Sequence, residues 1–352
     1  MLPNPQGDRG PASRRPVFYN GAMALDRDLH VAVARAWALG RGEPGTAWEM
    51  LAATGVRGLR VLVESGALSQ LLSTDSGGPA SVVLDANAAR YADRGARSQR
   101  WDARRPPTGG PFDHVDLDPF GSPLPFLDAA FDALVPGGLL SVTATDLIVL
   151  AGVDAEATRR RYGATPVRGR LGPEGGLRIL LRTLSDRAVA RGRRIRPLLA
   201  YLKDHYVRAY IVVASGEGAP PVGEIDAETW TGPPLGTRAT VGPMWLGPLF
   251  DRTFLDRLKV PPGAVRPSEL TALLARFRDE SAADVPFYYE PNTIAKEAGL
   301  SAPPSTDRLI EGLRAGGHVS GRTHARDGAF RTRATRAEVY ELAGGLPPRA
   351  PP

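Results

Sequence analysis

The chain has 352 residues, 42% of them apolar and 23% charged, which fits a soluble globular protein of one large domain and one smaller one. It lacks cysteine, and its five histidines are scattered without ligand spacing, which excludes disulfides and thiolate zinc sites and leaves no metal expected. Basic residues outnumber acidic ones 44 to 38, for a net charge of +6, and no window offers the ~20 uninterrupted apolar residues of a membrane span.

Residues 1–15 are polar and rich in Gly, Pro and Arg, with no apolar stretch after a basic start. They read as a disordered tail and not a signal peptide, so the protein is expected to be cytoplasmic. From Thr46 onward strand-like and helix-like segments alternate. Residues 47–51 form a short apolar run ending in the turn Ala53-Thr54-Gly55-Val56-Arg57-Gly58, and a helical pattern through Leu59, Leu62 and Val63 stops at Gly66. Residues 81–85 read as the second strand, followed by a helix over 88–97. Residues 112–117 are another buried strand and 126–131 open the next helix. Pro136-Gly137-Gly138 stops it, and 139–144 is the strand that follows. This alternation implies right-handed crossovers and an α/β fold with a mostly parallel, doubly wound sheet.

Further on, apolar residues at 177, 180, 181, 184 and 188 predict an amphipathic helix whose other face carries Arg178, Arg182 and Asp186. Two runs, 196–202 and 206–214, are expected to close the sheet as an antiparallel edge pair. Residues 216–247 are rich in Gly and Pro and read as a linker or irregular insert. A small α+β unit follows, with helices over 268–279 and 306–314 and short strands over 319–323 and 329–332. The boundaries are thus a tail over 1–15, a main domain over 16–247 and a C-terminal domain over 248–352.

Charge is unevenly spread. Between Arg159 and Arg196 stand twelve arginines against two acids, Glu174 and Asp186, a local excess of +10. A basic segment on a mildly acidic body predicts a polyanion-docking surface, with Arg159, Arg160, Arg161, Arg168, Arg170, Arg193 and Arg194 as its contacts. The competing reading is a solvated basic face with no partner.

Three acids stand where strands are expected to end. Glu49 leads into a loop with glycines at 55 and 58, a spacing that suits a nucleotide-like cofactor approached closely by backbone at a helix N-terminus. Thr54 and Gly55 are its candidate contacts, and the full nicotinamide fingerprint is absent. Asp85 is placed to bind two ribose hydroxyls. Asp102, after Trp101, is placed to accept a hydrogen bond from an adenine amine. The most specific stretch is Asp116-Leu117-Asp118-Pro119-Phe120-Gly121. An Asp-Pro-aromatic triplet at a strand end resembles the signature of methyltransferases that act on planar amino groups. The lone pair of such an amine is delocalised into its ring, so an acid side chain and a backbone carbonyl must accept its N–H bonds and aim the nitrogen in line with the methyl. The aromatic side chain stacks on the base.

The chain resembles the tRNA guanine-26 N2-dimethyltransferases of archaea and eukaryotes. The matching text includes Val17-Phe18-Tyr19-Asn20 with Met23 and Arg27-Asp28, then residues 53–60, 116–123 and 142–146, Arg161-Tyr162-Gly163, and His205-Tyr206-Val207-Arg208. It continues through residues 242–247, 286–289 and 321–324. The resemblance implies a class I Rossmann-like methyltransferase that uses S-adenosylmethionine, acts on tRNA as a monomer, and docks its substrate partly through the C-terminal unit. It implies that Phe18 and Tyr19 lie near the target base, that Arg27, Arg57, Asp85 and Asp102 contact the cofactor, and that Asp118 and Pro119 orient guanine N2 beside Phe120. Two departures stand out. Relatives carry a pair of Cys-x-x-Cys-like elements before the 242–247 motif, and none occurs here. Glu49 stands where relatives carry Asp.

Two other functions compete: an amino methyltransferase acting on DNA adenine or a small molecule, and a non-catalytic RNA-binding protein on a degenerate core. The basic segment and the C-terminal unit argue against a small molecule. Acids at 85, 102 and 118, each at an expected strand end, argue against RNA binding alone.

Overall fold

The computed structural model describes residues 19–216 and 218–345. The expected tail over 1–15 and Phe18 lie outside the described residues. Helix α1 (Ala24–Leu39) leads into the alternation β1 (Gly45–Met50), α2 (Val56–Glu64), β2 (Leu68–Asp75), α3 (Pro79–Ala89), β3 (Ala96–Arg100), β4 (Phe112–Leu117), α4 (Leu127–Asp132) and β5 (Leu134–Ala144). Then come α5 (Leu147–Leu150), α6 (Ala155–Tyr162), α7 (Gly172–Val189), β6 (Arg193–Lys203) and β7 (Tyr206–Ser215). The seven strands lie in the order β3-β2-β1-β4-β5-β7-β6. The first five are parallel, whereas β7 runs antiparallel to both β5 and β6. This is the expected doubly wound sheet with its antiparallel edge pair. The order reverses between β1 and β4, and an open α/β sheet binds ligands in the crevice at the carboxyl ends of such neighbours.

Two expected elements differ. Residues 81–85 are not a strand: they lie inside α3, because Pro79 is pre-set for the first helical turn and the chain has already spent its second strand on residues 68–75. Helix α3 ends at Ala89, and Gly95, at φ 90°, turns the chain into β3, so the helix expected over 88–97 is a helix end, a turn and a strand start. In β5 the glycines do not delay the strand. Phe112 pairs with Leu134 and His114 with Leu139, so residues 135–138 bulge between them.

The segment read as a linker holds a ribbon, β8 (Val222–Ile225) against β9 (Val241–Trp245), with Met244 and Trp245 buried in the main core. Then follow α8 (Arg252–Arg257), α9 (Pro267–Ala282), α10 (Pro291–Glu297), α11 (Thr306–Ala315), the antiparallel pair β10 (Ser320–Arg322) and β11 (Phe330–Thr332), and α12 (Arg336–Gly345). The core of the sheet continues past 247 through Leu249, Phe250, Phe254 and Phe277, while Tyr289, Ile294, Leu309, Phe330 and Val339 form a separate cluster. Among the described residues no helix is long and apolar enough to cross a membrane.

Candidate active site

The carboxyl ends of β1, β2, β4 and β5 open onto a cavity of about 670 Å³. Its cofactor-side wall is the loop after β1, where Leu51, Ala53 and Gly55 all take positive φ. At Gly55 a Cβ would come within 2.6 Å of Leu84 Cδ1, so both the left-handed backbone and the space require glycine. Glu49 is buried beneath this loop. Its Oε1 accepts the Gly58 N–H at 2.8 Å and its Oε2 accepts the Ser73 hydroxyl at 2.6 Å. Burial pushes its carboxyl up to about 7, opposed by these two hydrogen bonds. Glu49 therefore pins the start of α2 to the sheet. Thr54 lines the same wall and its carbonyl accepts from Asn87 Nδ2 at 2.8 Å.

The acid at the end of the second strand is Asp75, not Asp85. Asp75 lines the cavity, and its Oδ2 accepts the Ala53 N–H at 2.9 Å while Oδ1 makes no hydrogen bond to a described residue. Asp85 is exposed on α3 and accepts from Ser98 Oγ at 2.6 Å. A helical register carries it away from the strand ends. Asp102 does follow the third strand, but it does not line the cavity and is paired with Arg104 at 2.8 Å. A signal for Asp75 was present in the sequence: the leucines at 68, 71 and 72 lead through Ser73-Thr74 to an acid at 75, followed by the turn residues Ser76-Gly77-Gly78.

The floor is a buried ionic network. Asp118 follows β4, is 30% exposed, and holds Arg57 NH2 on Oδ2 at 2.6 Å. Arg57 NH1 pairs with Asp26 on α1, and Arg57 Nε lies 3.6 Å from Asp116 Oδ2. From β7 the fully buried Arg208 donates to Asp116 Oδ1 at 2.5 Å, to Thr143 Oγ1, and to Tyr210 OH at 2.9 Å, and lies 3.8 Å from Asp118 Oδ1. Tyr201 donates to Asp26 Oδ1. Burial drives the Asp26 carboxyl upward, but the guanidinium groups of Arg57 and Arg208 outweigh it and hold Asp26 far below the usual carboxylate range. Burial works the other way on His30, beside Arg208, and depresses it well below its ordinary value. Three carboxylates thus enclose two guanidinium groups. Asp118 Oδ1 and the buried Asp116 Oδ2 have no hydrogen-bond donor at 3.5 Å or closer among the described residues, and of these two acids only Asp118 is partly exposed. Arg57 was expected to hold cofactor. It lines the cavity, but its guanidinium is held by Asp26 and Asp118, so the geometry makes it the clamp of Asp118. Asp26 and Arg208 were assigned no role, since neither a helix acid nor a strand arginine signals partners 31 positions away, as for Asp26 and Arg57, or 92 away, as for Arg208 and Asp116.

Around the mouth, Tyr19 lies under Arg27, whose guanidinium carbon is 4.8 Å from the ring centroid, and Arg27 also donates to the Asn20 carbonyl at 3.1 Å. Pro119 is buried in the lining, whereas Phe120 is 74% exposed at the rim. Gly121 N–H donates to Thr145 Oγ1 at 2.6 Å, and Ser122 Oγ sits 2.9 Å from Tyr162 OH, which donates to Asp146 at 2.8 Å. The last residues of α6 are thereby tied to the loop that carries Asp118. His205 and Tyr206, between the antiparallel strands, complete the wall.

The basic segment is not one surface. Arg178 is fully buried against Glu174, contrary to its expected outward face, because α7 is covered there by β9 and the C-terminal unit. Arg170 pairs with Glu290, Arg182 with Asp186, Arg187 and Arg191 with Asp128, and Arg196 with Asp251. Arg193 donates to the carbonyls of Phe131 and Leu134, and Arg168 Nε to that of Gly152 at 3.1 Å. Arg159, Arg160 and Arg161 on α6, and Arg194 on β6, are exposed, and their side chains make no hydrogen bond or ion pair to a described residue.

Comparison with known proteins places these features in context. The family model described as N2,N2-dimethylguanosine tRNA methyltransferase matches residues 8–220 and 234–343. The tRNA (guanine(26)-N(2))-dimethyltransferase of Thermococcus kodakarensis is 34% identical over 357 residues, covering 93% of each chain. That of Methanosarcina acetivorans is 33% identical, covering 96% of this chain and 93% of the relative. The solved structure of Trm1 from Pyrococcus horikoshii with S-adenosyl-L-methionine superposes with a TM-score of 0.80 at 28% identity, covering 94% of this chain and 96% of that one.

Proposed function

Since the chain belongs to the N2,N2-dimethylguanosine tRNA methyltransferase family, we propose that it transfers methyl groups from S-adenosylmethionine to the exocyclic N2 of guanine 26 in tRNA, giving N2-methyl- and N2,N2-dimethylguanosine. The observation that carries this reading is Asp118: an acid that follows β4, lines the cavity and is 30% exposed, with one oxygen clamped by Arg57 and the other without a hydrogen bond to a described residue.

The residues present fit the cofactor. Asp75 offers Oδ1 to the ribose hydroxyls, Thr54 and Gly55 bring backbone close, and Met50, Leu51, Pro79 and Phe126 supply apolar wall. When bound, S-adenosylmethionine supplies a methyl activated by its sulfonium, which departs as a neutral thioether. The protein's part is positioning. Asp118 Oδ1 and the Pro119 carbonyl accept the two N–H bonds of the amine and fix its nitrogen for in-line attack. The nitrogen becomes acidic only as it is alkylated, so its proton can pass to Asp118 or to water without a strong base. The base must leave the tRNA stack to reach this floor, and Tyr19 and Phe120 flank its entry. After one transfer a single N–H remains, and Asp118 alone suffices to hold it in a second round.

Nucleoside mass spectrometry of an unmodified tRNA transcript, incubated with protein and S-adenosylmethionine, tests the reading. Methylated guanosine should appear with wild type and vanish with Asp118→Ala. Methylation elsewhere than guanine N2 would refute it.

A further inference from the structure

A second cavity, of about 470 Å³, lies apart from the first and within the range of ~300–1,000 Å³ typical of ligand sites. It is bounded by the turn before α7, the loop at 234–236, the start of α10 and one face of α12. Three tyrosines line it. Tyr288 is buried and donates to the Arg170 carbonyl at 2.9 Å, and Tyr340 donates to Glu297 Oε2 at 2.7 Å. Tyr289 is only 2% exposed, one ring face stacked on Phe330, and its buried hydroxyl has no hydrogen-bond partner. A buried phenol left unpaired is destabilising, so the Tyr289 hydroxyl, without a partner among the described residues and on a side chain that lines the cavity, points to a ligand atom.

The charges select the ligand. Arg170 is engaged by Glu290, whose other oxygen meets Arg326 Nε at 2.7 Å; Arg326 does not line the cavity, so among the lining residues the charges of Arg170 and Glu290 cancel. What remains is Arg168 at the rim, with only its Nε engaged, and the second carboxylate oxygen of Glu297. One rim cation, aromatic walls, a phenol and a carboxylate oxygen match one nucleotide of an RNA strand: a single phosphate charge, a flat ring to stack, and ring or amino N–H groups to be accepted. A free di- or triphosphate would need more cation than the described lining supplies. Arg168 also fixes the location, because its Nε is bonded to Gly152, in the stretch that joins Asp146 at the active site to Arg159, Arg160 and Arg161.

We propose that the cavity between the turn before α7 and helices α10 and α12 captures a nucleobase of the bound tRNA other than the target guanine, stacking it on the half-buried Tyr340, with the Tyr289 hydroxyl as a polar partner and Arg168 on its phosphate. The proposal rests on tRNA being the substrate. It makes the C-terminal helices a gauge of tRNA shape: the target base and the captured base must lie at a fixed separation.

The test uses the full chain and an unmodified tRNA transcript. Thr293→Trp fills the cavity from α10, and Tyr289→Phe removes only the hydroxyl. Filling the cavity should weaken tRNA affinity about tenfold or more, the size expected for loss of one stacked base. It should expose one non-target nucleotide in a chemical footprint and leave kcat at saturating tRNA within about twofold. Tyr289→Phe should give a smaller loss of the same kind. Unchanged affinity and footprint in both variants would overturn the proposal. So would binding of guanosine or adenosine 5′-monophosphate that Thr293→Trp abolishes while the tRNA footprint stays the same, since the site would then serve a free nucleotide. If wild type itself neither binds nor methylates tRNA, the proposed function fails first, and the wild-type arm alone reveals it.

Discussion

Two carboxylates of the cavity each have one oxygen engaged: Asp118 by Arg57 and Asp75 by the Ala53 amide, and in each the second oxygen makes no hydrogen bond to a described residue. The proposed function assigns the free oxygen of Asp118 to the amine and that of Asp75 to the ribose. Asp118→Ala should therefore abolish methyl transfer while leaving S-adenosylmethionine and tRNA affinity nearly intact, a loss in kcat seen in single-turnover kinetics. Asp118→Asn keeps an acceptor and loses the charge, so a residual rate lower by ~10²-fold or more is expected. Asp75→Ala should weaken S-adenosylmethionine binding by ~1–3 kcal/mol in calorimetry, whereas Asp85→Ala should leave it unchanged. Equal effects of the two would mean that α3, and not the end of β2, carries the ribose contact.

At the scale of elements, the β1–α2 turn is held by a carboxyl whose burial raises it to about 7, from 4.5 in the unfolded chain. Between these two values the folded protein binds the extra proton. Stability should therefore fall as pH rises from 4.5 towards 7, by an amount on the order of a few kcal/mol. Glu49→Gln keeps an acceptor for the Gly58 amide and should flatten that stretch of the melting-temperature profile. A slope identical to wild type would assign the pH dependence elsewhere. Helix α6 is the second element with a testable charge. The side chains of Arg159, Arg160 and Arg161 make no hydrogen bond or ion pair to a described residue, and Tyr162 ties their helix to the catalytic loop. Replacing all three with alanine should raise the tRNA KM and reduce the log–log salt slope by about 0.7–0.9 per lost phosphate contact. Removing Arg187 and Arg191, which are paired with Asp128, should leave the slope nearly unchanged.

Over the whole molecule, the C-terminal unit is fastened to the methyltransferase sheet by buried charge. Arg331 on β11 bonds Glu174 on α7 at 2.9 and 3.0 Å and Glu280 on α9 at 2.6 Å; Glu280 also holds His324 Nδ1 at 2.6 Å. Removing one member leaves an uncompensated buried charge, so Arg331→Ala should cost ~3–5 kcal/mol. Hydrogen exchange should then rise together in α7, α9 and β11. A rise confined to β11 would show that the C-terminal hairpin melts on its own.

Apolar spacing alone located most of the alternation of strands and helices, the antiparallel pair that closes the sheet, and α9, α11, β10 and β11 of the C-terminal unit, but not α8, α10 or α12. Each element found this way is a local pattern of apolar spacing bounded by Gly or Pro. The sequence also marked Asp118 and Pro119 as candidates, and both line the cavity, because a dense motif at a strand end is legible without knowledge of a partner. Only the tertiary structure decided which acid follows the second strand: residues 81–85 satisfy strand propensity, and the competing strand over 68–75 won because it pairs with β1. Likewise the net charge of the arginine-rich segment was legible, but its availability was not, since Asp128, Asp251 and Glu290 reach it from outside the segment. Arg57 changes role for the same reason. A guanidinium in a cofactor loop reads as a ligand contact until folding brings Asp26, 31 positions away, and Asp118, 61 away, within hydrogen-bonding distance. Local spacing fixes elements and motifs; pairing of charges distant in sequence is a property of the packed chain alone.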